Sequence, residues 1–189
     1  MKTILSLLVM LMFYFNMNGQ AGAHVHGGLL AGQFQTTNLT PEGTSHRGWR
    51  IGVDGRLHGG KMFFMGGAHY FKYAFDASGN GNYFETGDSF SIQKARFGLG
   101  FNLIELPPIA RFRAKVLGSI NLISAPEGRD LPSPYEMMND GYASLDFGIG
   151  VDILFFTIDL EYEKGFLNAV NQAQETKLDY WSLTAGLFF

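Results

Sequence analysis

Eight segments of this chain alternate apolar with polar or small residues at every second position, near residues 27–37, 47–58, 61–74, 90–103, 110–123, 141–153, 155–167 and 178–189. A period of two places successive side chains on opposite faces of a strand, so each segment reads as a β-strand with one greasy and one polar face. A strand that crosses a bilayer at a tilt of about 45° needs roughly 9 to 11 residues, and all eight segments are long enough. No run after residue 23 reaches the roughly 18 apolar residues of a helical span, so a membrane would be crossed by strands. Charged residues make up only 16% of the chain, below the roughly 25% usual in soluble domains. The fold expected is all-β: an eight-stranded antiparallel up-and-down transmembrane β-barrel.

The connections support that expectation independently. The second, fourth and sixth are short: Gly59-Gly60, Ile104 to Ile109 with Pro107-Pro108, and a step near Leu154. The first, third, fifth and seventh are long and rich in turn formers: Asn38 to His46, Phe75 to Ser89, Ser124 to Asp140 and Asn168 to Lys177. Outer-membrane barrels show this asymmetry, with short periplasmic turns and long external loops. The first 23 residues read as a cleaved signal peptide: Lys2, an apolar run from Ile4 to Phe15 broken by Ser6, and an A-x-A site at Ala21-Gly22-Ala23. The barrel domain is then 24–189. With no cysteine there is no lipid attachment site and no disulfide. A net charge of −3 gives no electrostatic reason to expect nucleic acid as a partner.

Several strands declare their faces. Ala143, Leu145, Phe147, Ile149 and Val151 oppose Ser144, Asp146, Gly148, Gly150 and Asp152, and Phe156, Ile158, Leu160 and Tyr162 oppose Thr157, Asp159, Glu161 and Glu163. Ala95, Phe97, Leu99 and Phe101 oppose Lys94, Arg96, Gly98 and Gly100, while Phe112, Ala114 and Val116 oppose Arg111, Arg113 and Lys115. A Lys or Arg facing lipid near the midplane costs about 2–4 kcal/mol, so the charged faces belong in the lumen. Lys94, Arg96, Arg111, Arg113 and Lys115 are therefore expected to meet Asp146, Asp152, Asp159, Glu161 and Glu163 there. A barrel of this size is just wide enough to be filled by side chains, which predicts a plug of ion pairs and no pore. The third segment resists assignment, because Phe63, Met65, His69, Phe71 and Tyr73 alternate with Phe64, Ala68, Tyr70 and Lys72.

Trp49, Trp181, Tyr142, Tyr162 and Tyr180 fall near strand ends, where amphipathic rings suit a headgroup layer or a soluble core alike. Trp181, Leu183, Ala185, Leu187 and Phe189 occupy alternate positions and end on a terminal aromatic. This resembles the C-terminal signal by which the barrel assembly machinery recognises outer-membrane barrels. The stretch GYASLDFGIGVDILFFTIDLEYEKGFLNAV (Gly141 to Val170), with its ending on Tyr162, Gly165 and Phe166, resembles the late hairpin of the PorT-like outer-membrane β-barrel family of Bacteroidetes. GGLLAGQFQ and RIGVDGRL resemble its early strands, so the similarity spans 27–189. The resemblance implies the barrel fold and an outer-membrane location, with a secretion-system role as one option among its members.

Candidate sites are sparse. Cleavage after Ala23 would expose His24-Val25-His26, whose amine, amides and third-residue imidazole can form a square-planar copper set; a solvated leader is the plainer reading. No other metal or cofactor is indicated. A rim enzyme acting on lipid or peptide would draw on His46, His58, His69, Ser89 and Asp88, but no spacing ties them together. Asp159, Glu161 and Glu163 could serve as paired acids for glycoside chemistry, or as the acidic stripe of the lumen. The segment 124–140, with Pro126, Pro132, Pro134, Tyr135, Met137 and Met138, offers a surface for a protein partner. The leading expectation is a non-enzymatic integral barrel in contact with outer-membrane lipid, with a structural or accessory role. The alternatives are a rim enzyme and a secreted lipocalin-like barrel that would hold its greasy faces inside.

Overall fold

The computed structural model describes residues 21–35, 45–76, 89–107, 109–124, 140–166 and 177–189. They form eight strands: β1 Ala21–Gln35, β2 Ser45–Gly59, β3 Met62–Asp76, β4 Ser89–Leu106, β5 Ala110–Ser124, β6 Gly141–Ile153, β7 Phe156–Gly165 and β8 Lys177–Phe188. Each pairs antiparallel with its sequence neighbours, and β1 pairs with β8 to close the barrel. Closure leaves no unpaired edge, which a strand needs if its backbone groups are to cross hydrocarbon. The seam is completed by reciprocal backbone bonds between Ala23 and Phe189, at 2.9 and 2.8 Å.

Antiparallel pairing gathers the connections at two ends. At one end β2 turns into β3 through Gly60 and Lys61, with Gly59 paired to Met62, so the tight turn lies one residue beyond the glycine pair expected. Gly60 has φ of +75°, a conformation that glycine adopts without a Cβ clash. β6 turns into β7 at Leu154 and Phe155, where Leu154 takes φ of 56° and bears the steric cost that glycine avoids. The connections 36–44, 77–88, 125–139 and 167–176 leave from the opposite end and lie outside the described residues, as do residues 1–20 of the expected targeting segment. β4 carries a bulge at Leu103, between Asn102 and Ile104. Beyond it Leu103, Ile104 and Leu106 are all exposed.

The faces sort as the alternation demands. Phe97, Leu99, Phe101, Val116, Ile120, Phe147, Ile149, Ile158 and Leu183 lie exposed on the outside, whereas Lys94, Arg96, Arg113, Lys115, Asp146, Asp159, Glu161 and Glu163 are buried within. This is the arrangement of a barrel dissolved in hydrocarbon, and it inverts what a lipocalin-like carrier requires. The third strand is also resolved. Phe63, Met65, His69, Phe71 and Tyr73 point inward, while Phe64, Ala68, Tyr70 and Lys72 point out. Its faces look alike in sequence because the lumen itself is apolar at both ends.

Candidate functional site: the filled lumen and the outer wall

The lumen is a slab of ion pairs between two apolar plugs. Among the described residues, six buried cations, Arg50, Arg56, Lys94, Arg96, Arg113 and Lys115, face six anions, Asp54, Asp146, Asp152, Asp159, Glu161 and Glu163. From the short-turn end, Arg56 lies 2.7 Å from Asp152, and Arg113 meets the same carboxylate. Arg113 continues to Asp159 at 2.6 Å. Lys115 then links Asp159, at 2.8 Å, to Glu161. Glu161 also takes Arg96 at 2.9 Å and Arg50. Arg96 donates to both oxygens of Asp54, at 3.0 and 2.7 Å. Lys94 binds Asp146 at 2.8 Å and Glu163.

These pairs run through the bore as well as along its wall. Lys94 and Arg96 on β4 reach acids on β6 and β7, and Lys115 on β5 reaches β7. The curvature of a closed sheet brings together side chains from strands that are not neighbours in the ladder. Glycine supplies the clearance. A Cβ on Gly67 would fall 2.1 Å from Asp54 Oδ1, and one on Gly150 would fall 2.4 Å from Asp159 Oδ1 and 2.9 Å from Arg113 Cζ. Desolvating so many charges is costly, and what offsets it is that nearly every acid contacts two or more cationic or hydrogen-bonding groups.

The plug at the long-connection end is rich in aromatic rings. Leu30, Phe71, Tyr73, Phe90, Ile92, Tyr142, Leu178 and Tyr180 pack together at the long-connection end, with Tyr73 stacked on Phe90 at 4.9 Å. Lys94 Nζ lies 5.4 Å from the centre of Phe71 and 5.6 Å from that of Tyr180, joining the slab to the plug by cation–π contact. At the other end Phe63, Met65 and Leu117 cluster, and the Arg56 guanidinium sits 4.8 Å from the ring of Phe188. A shallow cup of about 140 Å³ opens there, lined by Glu105, Arg111, Asp152 and Phe188 among others.

Three expectations change. Arg111 is not part of the lumen network: one residue inside the β4–β5 turn, it is about one-third exposed and pairs with Glu105 at 3.7 Å on the rim. Tyr142 and Tyr180 are not headgroup anchors, since both are buried in the plug. Trp49, Tyr162 and Trp181 do lie on the outer wall, where Trp181 packs on Tyr162 at 4.9 Å and Trp49 on Tyr70 at 5.7 Å. His24 and His26 are not a solvated leader. β1 begins at Ala21, ahead of them, and both are buried in the lumen.

In β1 the backbone at His24-Val25-His26 runs in register with both β2 and β8, so these amides are not free to form the square-planar copper set. The fold instead gathers His24, His26 and Asp54, whose candidate ligand atoms lie within 4.8 Å of one another. Asp54 is already engaged by Arg96, by His26 Nε2 at 2.8 Å and by His69 Nε2 at 3.0 Å. A carboxylate only accepts, so each Nε2 carries the hydrogen. The cluster is a hydrogen-bond hub with its own guanidinium cation, and a dication would add uncompensated charge to a balanced interior.

The enzyme candidates do not converge. His58 stands near the short-turn end and Ser89 at the opposite end, while His69 is buried against Asp54 and Phe71. Asp88 and the side chain of His46 lie outside the described residues. Asp159, Glu161 and Glu163 are each held by lumen cations. Sequence reading missed Arg50, Asp54 and Arg56, although RIGVDGRL alternates them with Ile51, Val53 and Leu57 as plainly as any other strand.

No family model matches the chain, and no curated protein matches it in sequence. Solved structures do resemble it. Ail, the attachment invasion locus protein of Yersinia pestis, crystallised with the heparin analogue sucrose octasulfate, is 16% identical, with 90% of this chain and 99% of Ail covered and a TM-score of 0.49. Neisserial surface protein A is 13% identical, with 90% of this chain and 97% of that one covered and a TM-score of 0.55. With the lumen charged, the wall greasy and the ladder closed, the chain has the fold of the small outer-membrane β-barrels.

Proposed function

We propose that this chain is an integral outer-membrane protein, non-enzymatic and non-conducting, that presents its four long connections outward as a binding surface on a rigid base. The observation that supports it most is the filled lumen: a bore occupied by twelve buried ionic side chains and two apolar plugs has no role for solute flow, yet it makes a stiff platform. Function on such a platform falls to its loops. Segment 124–140, the longest of them, is the surface proposed for a protein partner. The PorT-like resemblance favours an accessory role in a secretion or other outer-membrane assembly. The test joins two measurements. Planar bilayers containing the purified barrel should show no steady conductance, and cross-linking in intact membranes followed by detergent pull-down should recover a defined partner that is lost when 126–138 is replaced by a short Gly-Ser linker. Stable ion conductance would refute the filled-lumen reading, and recovery of the barrel alone would refute the accessory role.

We further propose that Trp181, Leu183, Leu187 and Phe189 form an assembly signal, with residues 1–23 as the export signal; its cleavage would remove the Ala21–Ala23 end of β1 and leave the seam to close from the His24–Phe188 pair onward. All four side chains lie on the outer face of β8 or its end, accessible to a receptor before insertion. Phe189→Ala should lower the yield in the membrane several-fold while leaving refolding in detergent unchanged. Equal losses in both settings would mean the residue matters only for barrel stability.

A further inference from the structure

We propose that the outer wall of β2–β4 carries a docking site for a phosphorylated lipid of the external leaflet, with an acyl chain in a groove and the phosphate above it on Lys72 and Arg47. The proposal rests on the outer-membrane reading given above, with the long connections outward.

A groove of about 580 Å³ runs along this wall, within the range of small-ligand sites. Its floor is Ala68 and Ala95, which face each other across the β3–β4 ladder, and it lies between Ile51 and Val53 on one side and Ile120 and Leu122 on the other. Small side chains sunk between larger branched ones make a notch in which an acyl tail can lie.

The upper end of the groove is polar. Tyr70 and Gln93 form the next cross-strand pair outward from Ala68 and Ala95. Gln93 is exposed, and its side-chain amide bonds to no described residue. An amide at the edge of hydrocarbon is costly unless something bonds it, and the ester or amide linkage of a lipid lies at that depth. One step further out Lys72 pairs with Trp49, and Arg47 follows across from Ala74. Both cations are exposed, and no described side chain forms an ion pair with either. On the opposite wall Lys164 faces Asp179 across the β7–β8 ladder, so that lysine has an acid beside it, whereas Lys72 and Arg47 do not. Stacked in this order, the groove, the amide, the Trp49–Tyr70 pair and the two cations match an acyl chain, its linkage, the interfacial layer and a phosphate. Each cation near an anionic headgroup contributes about fivefold in affinity, so roughly 30-fold is expected from the pair.

The test is native mass spectrometry of the full-length barrel in detergent, titrated with bis-phosphorylated lipid A and, in parallel, with its dephosphorylated form and inorganic phosphate. One phosphorylated lipid should be retained per barrel. R47Q/K72Q should weaken retention roughly 30-fold, and Ala95→Leu, which fills the groove but keeps the charges, should weaken it as well, whereas Lys164→Gln should leave it unchanged. Equal retention of the dephosphorylated lipid, full competition by inorganic phosphate, or a dimer abolished by Ala95→Leu in place of a lipid adduct would overturn the proposal. β-sheet circular dichroism and a compact, heat-sensitive electrophoretic band report the barrel separately: if these persist without lipid retention, only the docking site falls, and if they fail, the membrane-barrel reading falls with it.

Discussion

Replacing Arg96 with Met should lower the stability of the folded barrel by about 3–5 kcal/mol, the largest effect expected of any single lumen substitution. Arg96 is fully buried and joins Asp54 on the wall of β2 to Glu161 on β7. Methionine approximates its stem but leaves two carboxylates short of a cation in a slab sealed at both ends. That orphaned charge, more than the lost attraction, sets the magnitude. Adding Asp54→Asn should recover part of the loss, because removing the stranded anion lowers the cost of the missing cation. Denaturant titration in detergent, followed by tryptophan emission, measures both: the two tryptophans, Trp49 and Trp181, face outward and report the environment of the wall. A change under about 1 kcal/mol for Arg96→Met would mean that the charges are hydrated and the lumen is open to water.

The second large effect comes from the other face. Ile149 lies mid-strand on β6, is 59% exposed and faces Leu160 across the ladder. Ile149→Arg should cost about 2–4 kcal/mol when the barrel is folded into lipid vesicles, because the guanidinium must enter hydrocarbon or drag water and headgroups towards it. Ile149→Leu should be close to neutral. The same arginine in an aqueous solvent would be harmless, so the measurement asks directly what surrounds the wall. Tolerance of Arg at this position in vesicles would mean that this face is not in the hydrocarbon layer.

Much of the fold was legible because a β-strand reports its two faces independently. Asp146 and Asp152 alternating with Leu145, Phe147, Ile149 and Val151 need no partner to reveal which side is wet, and the short and long connections give the order of the strands around the ring. The third strand failed for a physical reason. Periodicity separates faces by polarity, and Phe63, Met65, Phe71 and Tyr73 line an interior that is apolar where they enter it. The same gap misplaced Tyr142 and Tyr180: an aromatic near a strand end suits a headgroup layer and a lumen plug equally, and only its parity within a closed ring decides. His24 and His26 were misread for another reason, since a segment this short gives too little alternation to show that it is already strand.

By itself, then, the order of residues determined the number of strands, their antiparallel sequence around the ring and, where the two faces of a strand differ in polarity, which side chains turn from lipid, since these follow from local alternation and connection length. Closure of the ring decided the rest: that Lys94 meets Glu163 and Arg96 meets Asp54, that three histidines converge near one carboxylate, and that Arg47 and Lys72 stand above a notch floored by Ala68 and Ala95. Contacts through the bore and across the wall depend on curvature and stagger between strands far apart in the chain. No local pattern encodes those distances.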